Sequence, residues 1–249
     1  MSRDINNPCR ADGSRGTEGL MPAPIVIFSD CHGTFKTLMA LLAKVHAVYP
    51  DARPYSLGDN VDRGPRSREV VEWLMKNNIQ TCAGNHEDLA LAYSEHAKLG
   101  YKAKCARFYE RNVWRYNGGD GTLKEWGSHA LPKNVLDWMV NLPPYFIIDQ
   151  ESGGRKLLLS HTGYGLDADK GNWMAALWGR HGYDLFDFVH DKDGEPIDDG
   201  YFRVFGHSRC ESAIVTDTYI NIDTACAYGG KLTAFVWPTR EIFEHKNID

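Results

Sequence analysis

Gly58-Asp59-Asn60-Val61-Asp62-Arg63-Gly64 follows Pro54-Tyr55-Ser56-Leu57, a short apolar run that reads as the end of a buried strand. Glycines bracket two aspartates and an arginine, so the turn can bring backbone and carboxylates close to a ligand. Asp59 and Asp62, three apart, can serve one site. Arg63 beside them would neutralise an anion that the carboxylates alone would repel. Carboxylates with a guanidinium suggest metal ions together with a phosphate. By itself the segment reads equally well as an Asp-rich surface turn. Its neighbours decide the matter.

Upstream, Ile25-Val26-Ile27-Phe28 suits a central strand buried on both faces, and it runs into Ser29-Asp30-Cys31-His32-Gly33. Asp30 and His32 lie two apart, so an extended backbone would point both side chains the same way. A carboxylate and an imidazole suit a divalent transition metal; Cys31 would face the opposite way and pack. With Thr34 as N-cap, apolar residues at helical spacing predict a helix to about Tyr49. The order strand, loop, helix, strand, loop is a βαβ unit, in which ligands bind beyond the carboxyl ends of the strands.

Downstream, the pattern predicts a helix over 67–77 and a short strand over 79–82. That strand runs into Ala83-Gly84-Asn85-His86-Glu87. Asn85 offers a neutral oxygen to a metal, and His86 is placed to donate or take a proton. Glu87 and Asp88 read as favourable charges in the first turn of the next helix. From Leu89 to about Trp114 the chain looks helical, and Asn117-Gly118-Gly119-Asp120-Gly121 breaks it. A further helix runs from Pro132 to Leu142, and the segment reads as a helical cap over one side of the site. Strands over 145–149 and 155–160 lead to His161-Thr162-Gly163, and another ends at Gly206-His207. Arg180, in Trp178-Gly179-Arg180, reads either as a phosphate clamp or as an exposed arginine. His190 to Pro196 is a solvated acidic loop lacking EF-hand spacing. Ala213 to Ile222 reads as a hairpin, and Leu232 to Trp237 is expected to complete a second sheet.

The 249 residues are 43% hydrophobic and 12% aromatic, enough to bury a full core. Residues 1–22, polar and without periodicity, read as a disordered leader, with a single domain over 23–249. A net charge of -5 argues against a nonspecific nucleic-acid or membrane-surface binder. No apolar run approaches the ~20 residues of a membrane span. Six scattered cysteines without a Cys-x-x-Cys pair suit free thiols in a reducing cytoplasm. The expected protein is a cytoplasmic monomer.

Collected, the strand-end residues are Asp30, His32, Asp59, Asn85, His86, His161 and His207. Three oxygen donors and three or four imidazoles suit two metal ions sharing a carboxylate; a closed single-zinc site needs only four ligands. The blocks around Asp30, Asp59 and Asn85, followed by His161-Thr162-Gly163, Gly206-His207, Ile222-Asp223-Thr224 and Gly229-Gly230, resemble the calcineurin-like metallophosphoesterases. Within them the likeness is to the phosphoprotein phosphatase branch, in its lambda-type serine/threonine phosphatases, and it spans about Ile25 to Trp237.

The resemblance implies an α+β fold: a four-layer αββα sandwich of two mixed β-sheets flanked by helices, with a helical cap. It implies that Asp30, His32 and His207 hold one metal, that Asp59 bridges, and that Asn85 and His161 complete the second. His86, oriented by Asp62, would protonate the leaving oxygen, and Arg63 and Arg180 would clamp phosphate. A hydroxide bridging two divalent ions would attack phosphorus in line; Mn2+ is the expected ion, with Zn2+ or Fe as alternatives. The expected substrate is a phosphorylated protein, or else a small phosphate ester. The alternative activity is that of a symmetrical bis(5'-nucleosyl)-tetraphosphatase, and a noncatalytic phosphate-binding scaffold is a third reading. Ser29, where the family usually has Gly, and Thr162, where it has a smaller residue, depart from the pattern without removing a ligand.

Overall fold

Strand β1 (Ile25–Phe28) is buried at all four positions and sits at the centre of the first sheet. In this computed structural model the described residues are 23–96, 102–105, 112–180 and 199–249. The expected leader at 1–22, the acidic loop at 190–196 and part of the expected 89–114 helix lie outside them. From β1 the chain passes through α1 (Phe35–Val48), β2 (Arg53–Ser56), α2 (Ser67–Lys76), β3 (Gln80–Thr81) and α3 (Asn85–His96). β1, β2 and β3 run parallel. Thr34 does not cap α1 with its side chain; its hydroxyl donates to the Cys31 carbonyl at 2.6 Å.

Next come α4 (Asp120–Glu125) and α5 (Lys133–Val140), which pack with α2 and α3 around Val61, Val71, Leu89, Trp114 and Leu136. This is the helical cap. The expected continuous helix over 89–114 is not what forms, because Lys102–Cys105 is non-helical. The Asp88 carboxylate accepts from the Lys104 and Cys105 amides at 2.6 and 2.9 Å, which ties that segment back to the start of α3. The 117–121 glycines break the helical run as expected, at Gly118, whose φ of 112° is non-helical. Arg115–Gly119 is a wide helical turn kinked at Gly118, and it leads straight into α4.

The second sheet contains β4 (Tyr145–Ser152), β5 (Arg155–Ser160), β6 (Tyr201–Phe205), β7 (Ile214–Val215) and β8 (Tyr219–Asn221), in the order β4-β5-β6-β8-β7. A short helix, α6 (Trp173–Trp178), lies between β5 and β6 in the chain. The expected hairpin is present, since β7 pairs antiparallel with β8. Strand β9 (Lys231–Trp237), expected in the second sheet, belongs with β10 (Glu241–Lys246) to the first, ordered β10-β9-β1-β2-β3. β9 is buried at six of seven positions and pairs with the open side of β1, a place only a strand apolar on both faces can fill. β10 covers its outer edge and was not foreseen.

Alternation along β1 builds the layers. Ile25 and Ile27 enter the core between the sheets with Leu157, Leu159, Phe202, Val204 and Trp237. Val26 and Phe28 face α1 and α2. Phe202 stacks on Phe235 and Trp237 at centroid distances of 5.8 and 5.3 Å. Each such buried side chain contributes roughly 1.5–3 kcal/mol. This core fixes the sheets face to face, and β5, β6 and β8 run parallel as β1, β2 and β3 do. The result is two mixed five-stranded sheets flanked by helices, as expected. Among the described residues no helix is long and apolar enough to cross a membrane. Among the described residues Cys31, Cys82, Cys210 and Cys226 form no disulfide.

Candidate dimetal active site

The loops after β1 and β2 are sewn together by backbone bonds. Asp30 N donates to Gly58 O at 3.2 Å, His32 N to Asp59 O at 2.9 Å, and Gly64 N to His32 O at 2.8 Å. Asp30, His32, Asp59, Asp62, Arg63 and His207 all have left-handed backbones, with φ between 43° and 73°. The extended geometry expected for Asp30 and His32 is therefore absent; a left-handed turn aims them instead. An L-residue in this region costs roughly 1–2 kcal/mol, and the cross-loop bonds hold it there. A Cβ on Gly84 would lie 2.4 Å from Asp59 N, so only glycine lets the third loop approach.

The donors converge. His161 Nε2 lies 3.0 Å from Asn85 Oδ1, 3.2 Å from His207 Nδ1 and 3.5 Å from Asp59 Oδ1. His161 Nδ1 is 3.0 Å from the Leu57 carbonyl, which takes the ring proton and leaves Nε2 a lone pair. Similarly, His32 Nδ1 donates to Val61 O at 2.8 Å, and its Nε2 faces Asp59 Oδ2 at 3.5 Å. Two groups of close ligand atoms result: His32, Asp59 and His86, and Asp59, His161 and His207. Asp59 is common to both. His207 thus sits with His161, not with His32 as the resemblance implied, because β6 lies beside β5. Asp30 joins from the side, its Oδ2 accepting from His207 N at 2.9 Å and from Ser29 Oγ at 2.5 Å. The serine that departs from the family pattern thus orients this carboxylate.

His86 Nδ1 is 2.6 Å from Asp62 Oδ2, and its Nε2 is 3.9 Å from Asp59 Oδ2. Asp62 is held in turn by Trp114 Nε1 at 2.8 Å and Thr122 Oγ1 at 2.6 Å, both from the cap. Neither cap residue was singled out from the sequence. Glu87 lies in the first turn of α3 as expected, but it is buried, and its carboxylate accepts from the amides of Asp59, Asn60 and Gly84 at 2.9, 2.8 and 3.0 Å. Beyond its place at the helix end, it clamps two loops. Asp223 is also buried beside the donors and lines the same cavity. Its place in Ile222-Asp223-Thr224 was the only signal for it.

Burial raises the carboxyls of Asp30, Asp59 and Asp223 above the usual range, and pushes Asp62 up to about 7. Burial also holds His32, His86 and His207 well below the ordinary histidine value, as neutral rings. Neutral imidazole lone pairs and buried carboxylates facing one another repel unless a cation lies among them. The donor set therefore fits divalent ions, with oxygen and nitrogen ligands in the mixture that suits transition metals. Arg63 donates to His32 Nε2, and Arg180 donates to His207 O at 2.9 Å. Both line a cavity of about 100 Å³ with Asp30, Asp59, Asn85, His86 and His207. Thr162, the second departure, bonds to the Ala175 and Ala176 carbonyls of α6 at 2.9 and 3.0 Å, steadying the helix that leads to Arg180.

The sequence profile of the calcineurin-like phosphoesterase family matches residues 23–208. A bis(5'-nucleosyl)-tetraphosphatase PrpE (asymmetrical) of Anoxybacillus flavithermus is 28% identical over 243 residues, covering 86% of this chain and 91% of the relative. Its Bacillus cereus strain Q1 counterpart is 26% identical over 246 residues, 87% and 91% of the two chains. Among solved structures, a candidate diadenosine tetraphosphatase superposes with a TM-score of 0.61 at 19% identity, covering 91% of this chain and 95% of its own. A serine/threonine phosphatase from Saccharomyces cerevisiae superposes with a TM-score of 0.53 at 16% identity, covering 91% and 80%.

Proposed function

Because this chain belongs to the calcineurin-like phosphoesterase family, and so is a metallophosphoesterase, we propose that it hydrolyses dinucleoside polyphosphates. The observation that carries the chemistry is the His86–Asp62 pair, held at 2.6 Å beside the shared Asp59. Two divalent ions, when bound, supply positive charge for the phosphoryl oxygens and the acidity that makes water a nucleophile near neutral pH. Asp30, His32 and Asp59 would hold one ion; Asp59, Asn85, His161 and His207 would hold the other. Mn2+ is the ion we assign, with Zn2+ or Fe as alternatives.

Arg63 and Arg180 bind the phosphoryl oxygens and orient phosphorus for attack opposite the leaving oxygen. The water oxygen forms the new bond to phosphorus as the bond to the leaving oxygen breaks. His86, neutral at rest, takes up a solvent proton at Nε2 and gives it to the leaving oxygen, and Asp62, accepting from Nδ1–H, favours the imidazolium in between. The PrpE relatives support the dinucleotide as substrate. They are named for asymmetrical cleavage, whereas the sequence-based alternative was the symmetrical kind. A serine/threonine protein phosphatase is the second reading, favoured by the resemblance of the strand-end motifs. We take the protein to work as a cytoplasmic monomer.

The test compares diadenosine tetraphosphate, a phosphoserine peptide and an aryl phosphate with Mn2+-loaded protein. We expect kcat/KM for the dinucleotide to exceed that for the peptide by at least ~10-fold, and Asp62→Asn to lower kcat by ~100-fold on every substrate. A preference for the peptide restores the protein-phosphatase reading, and no turnover of any substrate supports the scaffold. Products separate the two modes of cleavage: a nucleoside monophosphate with a triphosphate, or two diphosphates.

A further inference from the structure

The donor cavity, at about 100 Å³, takes little more than a phosphoryl group. The rest of any substrate must lie outside it. Adjacent is a cleft of about 600 Å³ bounded by Arg180, Ser208, Arg209, Cys210, Glu211 and Ala225. Arg180 and Arg209 line both spaces. This volume is in the range of small-ligand sites.

Tyr228 lines the donor cavity. Its ring is 54% exposed, with the Arg63 guanidinium carbon 5.2 Å from its centroid and that of Arg209 at 4.3 Å. The two guanidiniums are thus tied to one rigid ring, at most ~10 Å apart. Among the described residues Arg209 forms no salt bridge; Asp223, a carboxylate on which its charge acts, is buried and accepts from Ala225 N at 3.0 Å. An exposed guanidinium stacked on an aromatic face keeps its donor edge free for a planar, bidentate bond to an oxyanion. Glu211, which also lines the cleft, is an acceptor for sugar hydroxyls, whereas phosphate goes to the guanidiniums.

We propose that Arg209, seated on Tyr228, forms with Arg180 a subsite for the phosphate next to the one being hydrolysed. The substrate it selects is a nucleoside polyphosphate with a chain of at least two phosphates. A phosphoserine side chain ends at a single phosphate and leaves Arg209 without a partner. This inference rests on the dinucleotide reading above and names the residues that enforce it.

The experiment titrates metal-saturated protein with inorganic pyrophosphate and with orthophosphate by calorimetry, for wild type, Arg209→Ala and Arg209→Lys. Steady-state kinetics on diadenosine tetraphosphate, the phosphoserine peptide and an aryl phosphate accompany it. Arg209→Ala should weaken pyrophosphate at least ~10-fold more than orthophosphate. It should raise KM for the dinucleotide at least ~10-fold more than for the aryl phosphate, with kcat for the dinucleotide changed less than KM. Arg209→Lys, which keeps the charge and loses the fork, should recover only part. Equal weakening of both anions, or a loss on the phosphopeptide as large as on the dinucleotide, overturns the subsite. A wild type that binds pyrophosphate through Arg209 yet hydrolyses nothing refutes the proposed function and leaves the subsite standing. Hydrolysis of the dinucleotide that ignores Arg209 does the reverse.

Discussion

Replacing Glu87 by glutamine removes one charge and almost no volume from a residue 1% exposed. Its Oε2 accepts from Asp59 N and Gly84 N, and its Oε1 from Asn60 N and Asn60 Nδ2 at 3.3 Å. Glutamine keeps one acceptor oxygen; its amide nitrogen must face the other pair of donors. At least two buried N–H groups then lose their partner, at about 1–3 kcal/mol each. Part of this is relieved by relaxation, and we expect a loss of about 3–5 kcal/mol, against a total near ~5–15 kcal/mol for a domain. Asp59 is anchored by that bond in a left-handed backbone, so its carboxylate should also shift and metal affinity should fall. Urea unfolding of metal-free and metal-saturated protein reads the first effect, and a Mn2+ titration the second. Glu69→Gln, which touches only an exposed i,i+3 pair with Arg66, should cost less than ~0.5 kcal/mol. If Glu87→Gln costs no more than Glu69→Gln, the carboxylate is not what joins the two loops.

Two further outcomes follow from the same geometry. Asp62, with its folded pKa near 7, and the raised Asp30, Asp59 and Asp223 bind protons in the folded protein that the unfolded chain has released. Their contribution to metal-free stability is complete below the unfolded value of ~4 and is lost as pH rises through the folded value. The depressed His32, His86 and His207 act oppositely, losing stability as pH falls below ~6.5. Chelator-treated protein should therefore lose Tm as pH rises from ~6.5 through the Asp62 value of about 7, where the histidine contribution is already complete, while Mn2+-loaded protein holds its Tm, since metal takes the deprotonated ligands; a metal-free curve flat over that range contradicts this. Gly118→Ala places a Cβ 2.7 Å from Arg63 N on a backbone with φ of 112°. It should lower stability by about 1–3 kcal/mol and raise KM for an aryl phosphate through Arg63. Unchanged melting and kinetics would mean that the cap does not press on this loop.

Much of the site was legible because each ligand follows a parallel strand. Asp30, Asp59, Asn85, His161 and His207 all come just after short apolar runs, and parallel strands deliver their ends to one edge. What could not be read locally was the backbone there. A left-handed turn at Asp30 and His32 is held by the Gly58 and Asp59 carbonyls of the next loop, which accept from the Asp30 and His32 amides and which no window around residue 30 contains. Trp114 and Thr122 escaped for the same reason: each acts through hydrogen bonds to Asp62, more than 50 positions away. Glu87 was legible as a first-turn acid of α3 but not as a loop clamp, since the amides it binds at Asp59 and Asn60 belong to another loop.

Residue chemistry and strand-end spacing by themselves determined that this protein gathers carboxylates and imidazoles for two cations, on sheets flanked by helices. Those signals are local, set by side-chain type and by the two-residue period of a strand. Only the tertiary structure decided which imidazole stands beside which, that β9 closes the first sheet, and that Arg209 and Tyr228 border the donors. Such pairings depend on strand order and loop crossing, through contacts between residues far apart in the chain that the pattern along it does not encode.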